Sequence, residues 1–151
     1  MYTTTLLLHS YLLHVVLFFG VWVLVSSFRA SQSGRSWSDA DERTHKIFLA
    51  ALDMQMLLGL ALYLFLSPIT RVALSDLGAS MKDPTLRFFG VEHIFAMLLG
   101  VIAAHVGRVR GKKREGVSRQ RVTFAMQCLW LVLTLSGIPW PGLDIGRPLL
   151  R

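Results

Sequence analysis

The sequence predicts an all-α fold: an integral membrane four-helix up-down bundle with a short interfacial helix between the second and third helices. Three observations predict it. Of the 151 residues, 53% are hydrophobic, and they gather in four blocks rather than dispersing as in a soluble domain. Each block approaches the ~20 residues that an α-helix needs to cross the hydrocarbon core. The charged residues lie between the blocks, and helix caps or breakers stand at several block edges.

The first span covers residues 6–28, and a polar stretch follows at 29–37. Ser38 with Asp41 three residues on reads as a capping box, so the second helix starts near Asp39, in water. Its membrane part is 47–66, and Pro68 closes it. Ile69, Val72, Ala73 and Leu77 then recur at helical spacing, with Arg71, Ser75 and Asp76 off that stripe. This predicts the short interfacial helix. Asp83-Pro84 reads as the N-cap and first position of the third helix. Its apolar part is 88–106. The fourth span is 122–138, stopped by Pro139 and Pro141. The tail from Trp140 has no periodicity and reads as irregular. There is no internal repeat, and residues 1–151 read as a single transmembrane domain.

The net charge is +7 and the mean hydropathy +0.51. The basic residues lie between apolar blocks rather than on a folded polar surface, which argues against nucleic-acid binding. Eleven of the sixteen Lys and Arg fall in the first and third loops, seven of them in the third. The positive-inside rule therefore puts those loops in the cytoplasm and both termini outside. Arg71, Lys82, Arg87, Arg147 and Arg151 stay on the outer side. The basic third loop suits anionic headgroups or a partner protein. Met1 to Thr5 lacks a basic n-region, and the run after it is too long for a signal peptide, so it reads as a retained helix. The one cysteine, Cys128, excludes a disulfide framework and covalent c-type haem through two thioethers.

Ionisable groups inside spanning helices are costly and are functional candidates by default. Here they are His9, His14, Asp53, Glu92, His93 and His105, with Gln55 and Gln127 as neutral additions. His9 and His93 fall at one depth near the outer face, and His45 and His105 at one depth near the inner face. Two histidines on different helices at one depth suit the two axial positions of a b-type haem iron. Gly20 and Gly100 share the faces of His9 and His93 and would admit a macrocycle edge. Met97 shares the face of His93 and is a further ligand or a packing residue. The same histidines also suit hydrogen bonds between helices, and the glycines suit close helix packing. Glu92 reads either as a lock, bonded to Arg87 or to a histidine, or as a proton acceptor near a quinone or an exit path. Asp53 reads either as a bond to His105 or Gln127 across helices, or as a proton carrier. No HExxH, phosphate loop, GxSxG or EF-hand pattern occurs.

The runs LHSYLLHVVLFFGVWVL, ALDMQMLLGLALYLFLSP, MKDPTLRFFGVEHIFAMLLGVIAAHVGRVR and SGIPWP resemble a family of small bacterial four-helix membrane proteins labelled cytochrome b or b561-like. The resemblance covers nearly the whole chain. It maps onto His9, Gln55, Met81-Lys82-Asp83, Arg87, Glu92, His93, His105 and Pro139-Trp140. Some members carry a histidine in the second helix where Met54 stands here, a departure that weighs against a ligand from that helix. The resemblance implies a bacterial inner-membrane protein carrying haem b.

Three functions suit these residues. The first is a haem b electron carrier exchanging electrons with quinone or a partner oxidoreductase. In it His9 and His93 are the iron ligands, His14 and His105 lie near the cofactor, and Glu92 and Asp53 move protons. The second is a cofactor-free accessory subunit of a membrane complex. The third is a small proton or solute translocator using Asp53 and Glu92.

Overall fold

The computed structural model describes residues 1–148. Among these the chain is all-helical, with no strand. Helix α1 is Tyr2–Gln32. Helix α2, Asp39–Ala61, runs on into a π-helical turn, Leu62–Leu66. Three short helices follow: α3 Pro68–Ser75, α4 Leu77–Ser80 and α5 Pro84–Arg87. A second π-helical turn, Phe88–Glu92, leads into α6, His93–Lys112. Helix α7 is Gly116–Ser136.

Local chemistry sets the boundaries. Asp41 N–H donates to Ser38 Oγ at 3.3 Å and Ser38 N–H to Asp41 Oδ2 at 2.9 Å. This is the expected capping box, starting α2 at Asp39. Asp83 Oδ1 accepts from Leu86 N–H at 2.8 Å, with Pro84 in the first turn. Ser67 caps α3 in the same way. The tail after Ser136 is irregular as far as it is described, and the outer-side placement of Arg151 lies outside the described residues.

Helix α1 packs on α2 and α7, and α6 packs on α7 and more thinly on α2. Each long helix therefore has two long neighbours. Val16, Val23, Phe48, Leu49, Leu52, Ala103, Ala104 and Trp130 form the core. Trp130 and Phe48 are fully buried and meet edge to face, with ring centroids 4.7 Å apart. Gly20 is the residue that admits the indole: a Cβ there would overlap Trp130.

Three helical stretches are long and apolar enough to cross a membrane: Tyr2–Gln32, Asp39–Leu66 and Pro84–Lys112. Helix α7, predicted as the fourth span, is not among them. The reason is visible in its packing. Its polar residues Gln120, Thr123, Gln127 and Thr134 are all buried against the other helices. Together with Arg119 and Arg121 in its first turns they lower its mean hydropathy, while Leu129, Val132 and Leu135 stay on its exposed face. Gln127 donates to the Gly20 carbonyl at 3.1 Å, an interhelical bond.

Candidate functional site

A cavity of about 170 Å³ lies among α1, α2, α3, α6 and α7. Most of its wall is apolar: Leu13, Val16, Leu52, Met56, Met97 and Val101 among others. His9, Gln55, Tyr63, Thr70 and His93 supply polar groups. Large apolar cavities with a few convergent polar groups are the commonest ligand sites.

Two π-helical turns shape this wall. Each inserts an extra residue into a helix, as the bonds from Ser67 N–H to the Leu62 carbonyl and from His93 N–H to the Phe88 carbonyl show. Tyr63, in the first turn, donates to the carbonyl of Gly90, in the second, at 2.7 Å. Gly90 also lies so close to Ala73 of α3 that a Cβ there would stand 2.7 Å from the alanine methyl.

The structure brings His9 and His93 together, with ring centroids 6.4 Å apart and planes at 71°. Their nitrogens, however, face other helices. His93 Nδ1 is 2.7 Å from the Gly137 carbonyl at the end of α7. A carbonyl only accepts, so Nδ1 donates, and the neutral ring keeps a lone pair on Nε2. His9 Nε2 is 3.4 Å from Gln55 Nε2, which donates to it. The ring proton of His9 is then on Nδ1, buried without a partner among the described residues. The edge of His9 that carries Cε1 and Nδ1 lies against Gly59 of α2. Gln55 Oε1 is likewise buried and without a partner.

The remaining predicted residues lie elsewhere. His14 is exposed on another face of α1, with Nδ1 3.0 Å from its own helix's Ser10 carbonyl. It does not join His9, because five residues at about 100° each turn it well away. His105 does not pair with His45; its Nε2 lies 2.7 Å from Asp53 Oδ1, joining α6 to α2. Glu92 accepts from Arg87 Nε at 2.7 Å and is not part of the cavity wall. Gly20 and Gly100 receive Trp130 and Thr134 rather than opening onto the cavity.

A second polar concentration lies where the α1–α2 loop meets α6 and α7. Glu42 accepts from Arg108, from Arg119 at 2.7 Å and from Trp37 Nε1 at 3.1 Å. Arg119 lies 4.1 Å above the Trp37 ring. Asp41 takes two bonds from Arg35, at 2.7 and 2.9 Å, and one from Gln120 at 3.0 Å. The Arg108 hydrogen bond, opposed by burial and helped by Trp37 and Arg119, holds the Glu42 carboxyl down to about 2. Burial pushes Asp41 up, but bonds from Arg35, Ser38 and Gln120 outweigh it and hold it at about 2. His45 is buried between Trp37 and Phe48. Burial first, then the Arg108 charge, lowers it to about 4. The basic residues of the third loop gave no signal in sequence of this pairing, because their acidic partners lie more than sixty positions away.

No protein-family model, curated protein or solved structure matches the chain.

A b-type haem between His9 and His93 needs one nitrogen of each ring aimed at the same iron. His93 keeps its Nε2 lone pair free, but the His9 nitrogens face Gln55 and Gly59 on α2 rather than His93. The cavity is also too small: one of roughly 150 Å³ holds benzene, and this one is about 170 Å³. The residues present do not fit a macrocycle held by these two histidines.

Proposed function

We propose that the four long helices stand as an up-down bundle across a bacterial inner membrane, with both termini outside. In this reading the cavity holds the head ring of a quinol or quinone, and the protein is a cofactor-free accessory subunit beside a partner oxidoreductase. Support for the membrane comes from the surface. Phe18 of α1 is 60% exposed, Leu57 of α2 61%, Phe95 of α6 61% and Val132 of α7 65%. Water would penalise these side chains, and lipid does not. The exposed faces are apolar even on α7, whose polar groups turn inward. Support for the orientation is the excess of Lys and Arg in the first and third loops.

One observation carries the ligand reading. His93 is fixed by Gly137 so that an open lone pair stands at the wall of an apolar cavity of single-ring size. Benzoquinones are apolar single-ring carriers of electrons and protons that live in the bilayer, and such a pairing suits their oxygen. The test is binding of a short-chain benzoquinone and its quinol to detergent-solubilised protein, followed by tryptophan fluorescence. Wild type is expected to bind, and His93→Ala to lose most of that binding. A reduced-minus-oxidised visible spectrum is recorded on the same sample after growth with haem supply. Soret and α-bands that both His9→Ala and His93→Ala abolish would overturn this reading in favour of haem.

A further inference from the structure

Away from the cavity, the outward face of α1 carries a second hollow, of about 860 Å³. Phe18, Val21, Trp22 and Val25 give it an apolar lining, and Arg29 and Arg35 stand at the end nearest the first loop. The first span ends at residue 28, so Arg29 stands just past the hydrocarbon on the inner side. We infer that this hollow seats one phospholipid of the inner leaflet with an anionic headgroup. Its acyl chain lies along Phe18 to Val25, and Arg29 meets its headgroup. The inference rests on the membrane orientation proposed above and not on the cavity.

The charges of the hollow point to that occupant. Arg35 gives two bonds to Asp41, at 2.7 and 2.9 Å, and is neutralised there. Arg29 is exposed and has no ion pair among the described residues. No carboxylate among the described residues lines the hollow. The Ser26 hydroxyl donates to its own helix's Trp22 carbonyl at 2.8 Å, and Ser33 to the Ala30 carbonyl at 3.3 Å. His14, at the far end, is bonded to the Ser10 carbonyl of the same helix. What the hollow offers is an apolar track that ends in one unmatched cation.

The length of the track agrees with a single leaflet. Phe18 and Arg29 are eleven residues apart, a rise of about 16 Å along α1. One leaflet contributes about 15 Å of hydrocarbon, half of the core. A second copy of the chain fits less well. Copies in one membrane share an orientation, so a two-fold axis along the membrane normal sets equal depths together and brings Arg29 against Arg29. An apolar partner helix would leave Arg29 without a counter-charge. A zwitterionic headgroup brings no net charge, whereas an anionic one supplies the missing negative charge at the right depth.

The experiment titrates the full-length protein in detergent micelles with one of two lipids carrying brominated chains, phosphatidylglycerol or phosphatidylcholine. Bromine quenches a tryptophan beside it. The quenching that wild type shows and Trp22→Phe lacks reports the α1 hollow, because the exposed Trp22 lines it. Phosphatidylglycerol is expected to reach half-quenching at about one-fifth the concentration of phosphatidylcholine. Arg29→Gln should bring the two lipids together by weakening phosphatidylglycerol. Arg110→Gln, which removes an exposed cation outside the hollow, should keep the ratio. An equal response of wild type to both lipids overturns the headgroup site and leaves the membrane reading standing. A ratio that Arg110→Gln lowers and Arg29→Gln does not overturns it in favour of a diffuse basic surface. Trp22 quenched by neither lipid overturns it too: in a dimer the face belongs to a second copy, and in a monomer the membrane placement of α1 fails.

Discussion

At one end of the bundle Glu42 collects hydrogen bonds from Arg108, Arg119 and Trp37, whereas around the cavity His9 and Gln55 each keep a buried atom without a partner. Both regions are polar groups gathered between helices. They differ in how their charges are met, although the charged end too keeps one buried atom without a partner among the described residues, Gln120 Oε1. The charged end satisfies both carboxylates and fastens the first loop, α2, α6 and α7 to one another. The cavity end leaves a donor, His9 Nδ1, and an acceptor, Gln55 Oε1, without partners among the described residues. Paired charges hold helices in place, while unpaired neutral groups do so only weakly.

That contrast is testable from its strongest side first. Glu42→Ala strands Arg108 and Arg119, whose side chains are only 11% and 19% exposed. A loss of roughly 3 kcal/mol is expected, read as a fall in thermal midpoint by circular dichroism in detergent. An unchanged midpoint would show that the charged end does not fasten the bundle. Acid should act on the same region in two stages. His45 is held at about 4 against an ordinary 6.5. Its folded pKa is depressed because the buried ring resists protonation, so its contribution is complete above pH 6.5 and declines as pH falls toward 4. Glu42 and Asp41, held near 2, add a second loss as pH falls from their ordinary values of 4.5 and 3.8 toward 2. Midpoints measured against pH should fall in both windows, and His45→Leu should flatten only the upper one. The smallest effect on stability belongs to the cavity. His9→Leu with Gln55→Leu removes a weak 3.4 Å bond and two unpaired buried atoms. The double variant should stay within about 1 kcal/mol of wild type while ligand binding drops. A collapse as large as that of Glu42→Ala would mean the cavity end is a structural lock as well.

Much of this was readable from the sequence. Ser38 with Asp41 and Asp83 with Pro84 gave helix starts, because a cap is a local bond between residues three apart. The depth arithmetic that placed His9 with His93 held, because rise per residue is the same in every α-helix. Which way a ring nitrogen points was not readable. It depends on Gly59, Gln55 and Gly137, which lie on other helices. Angular arithmetic also failed where a partner fills the space: Gly20 faces Trp130, a residue more than a hundred positions away. Glu92 and Asp53 each had two readings in sequence, and the bonds to Arg87 and His105 put both into pairs between side chains. The weak hydropathy of α7 was a signal too. Its glutamines and threonines mark the helix that turns its polar side toward the interior.

The two π-helical turns make chain length a variable of the site. Removing one residue from Leu62–Leu66 or Phe88–Glu92 would restore an ordinary helix and move the side chains of that turn off the faces they now hold. Tyr63 meets Gly90 only because both helices carry their extra residue. Substitution scanning leaves that count untouched. A single-residue deletion, harmless in most surface loops, would here take Tyr63 or Gly90 out of register with the other.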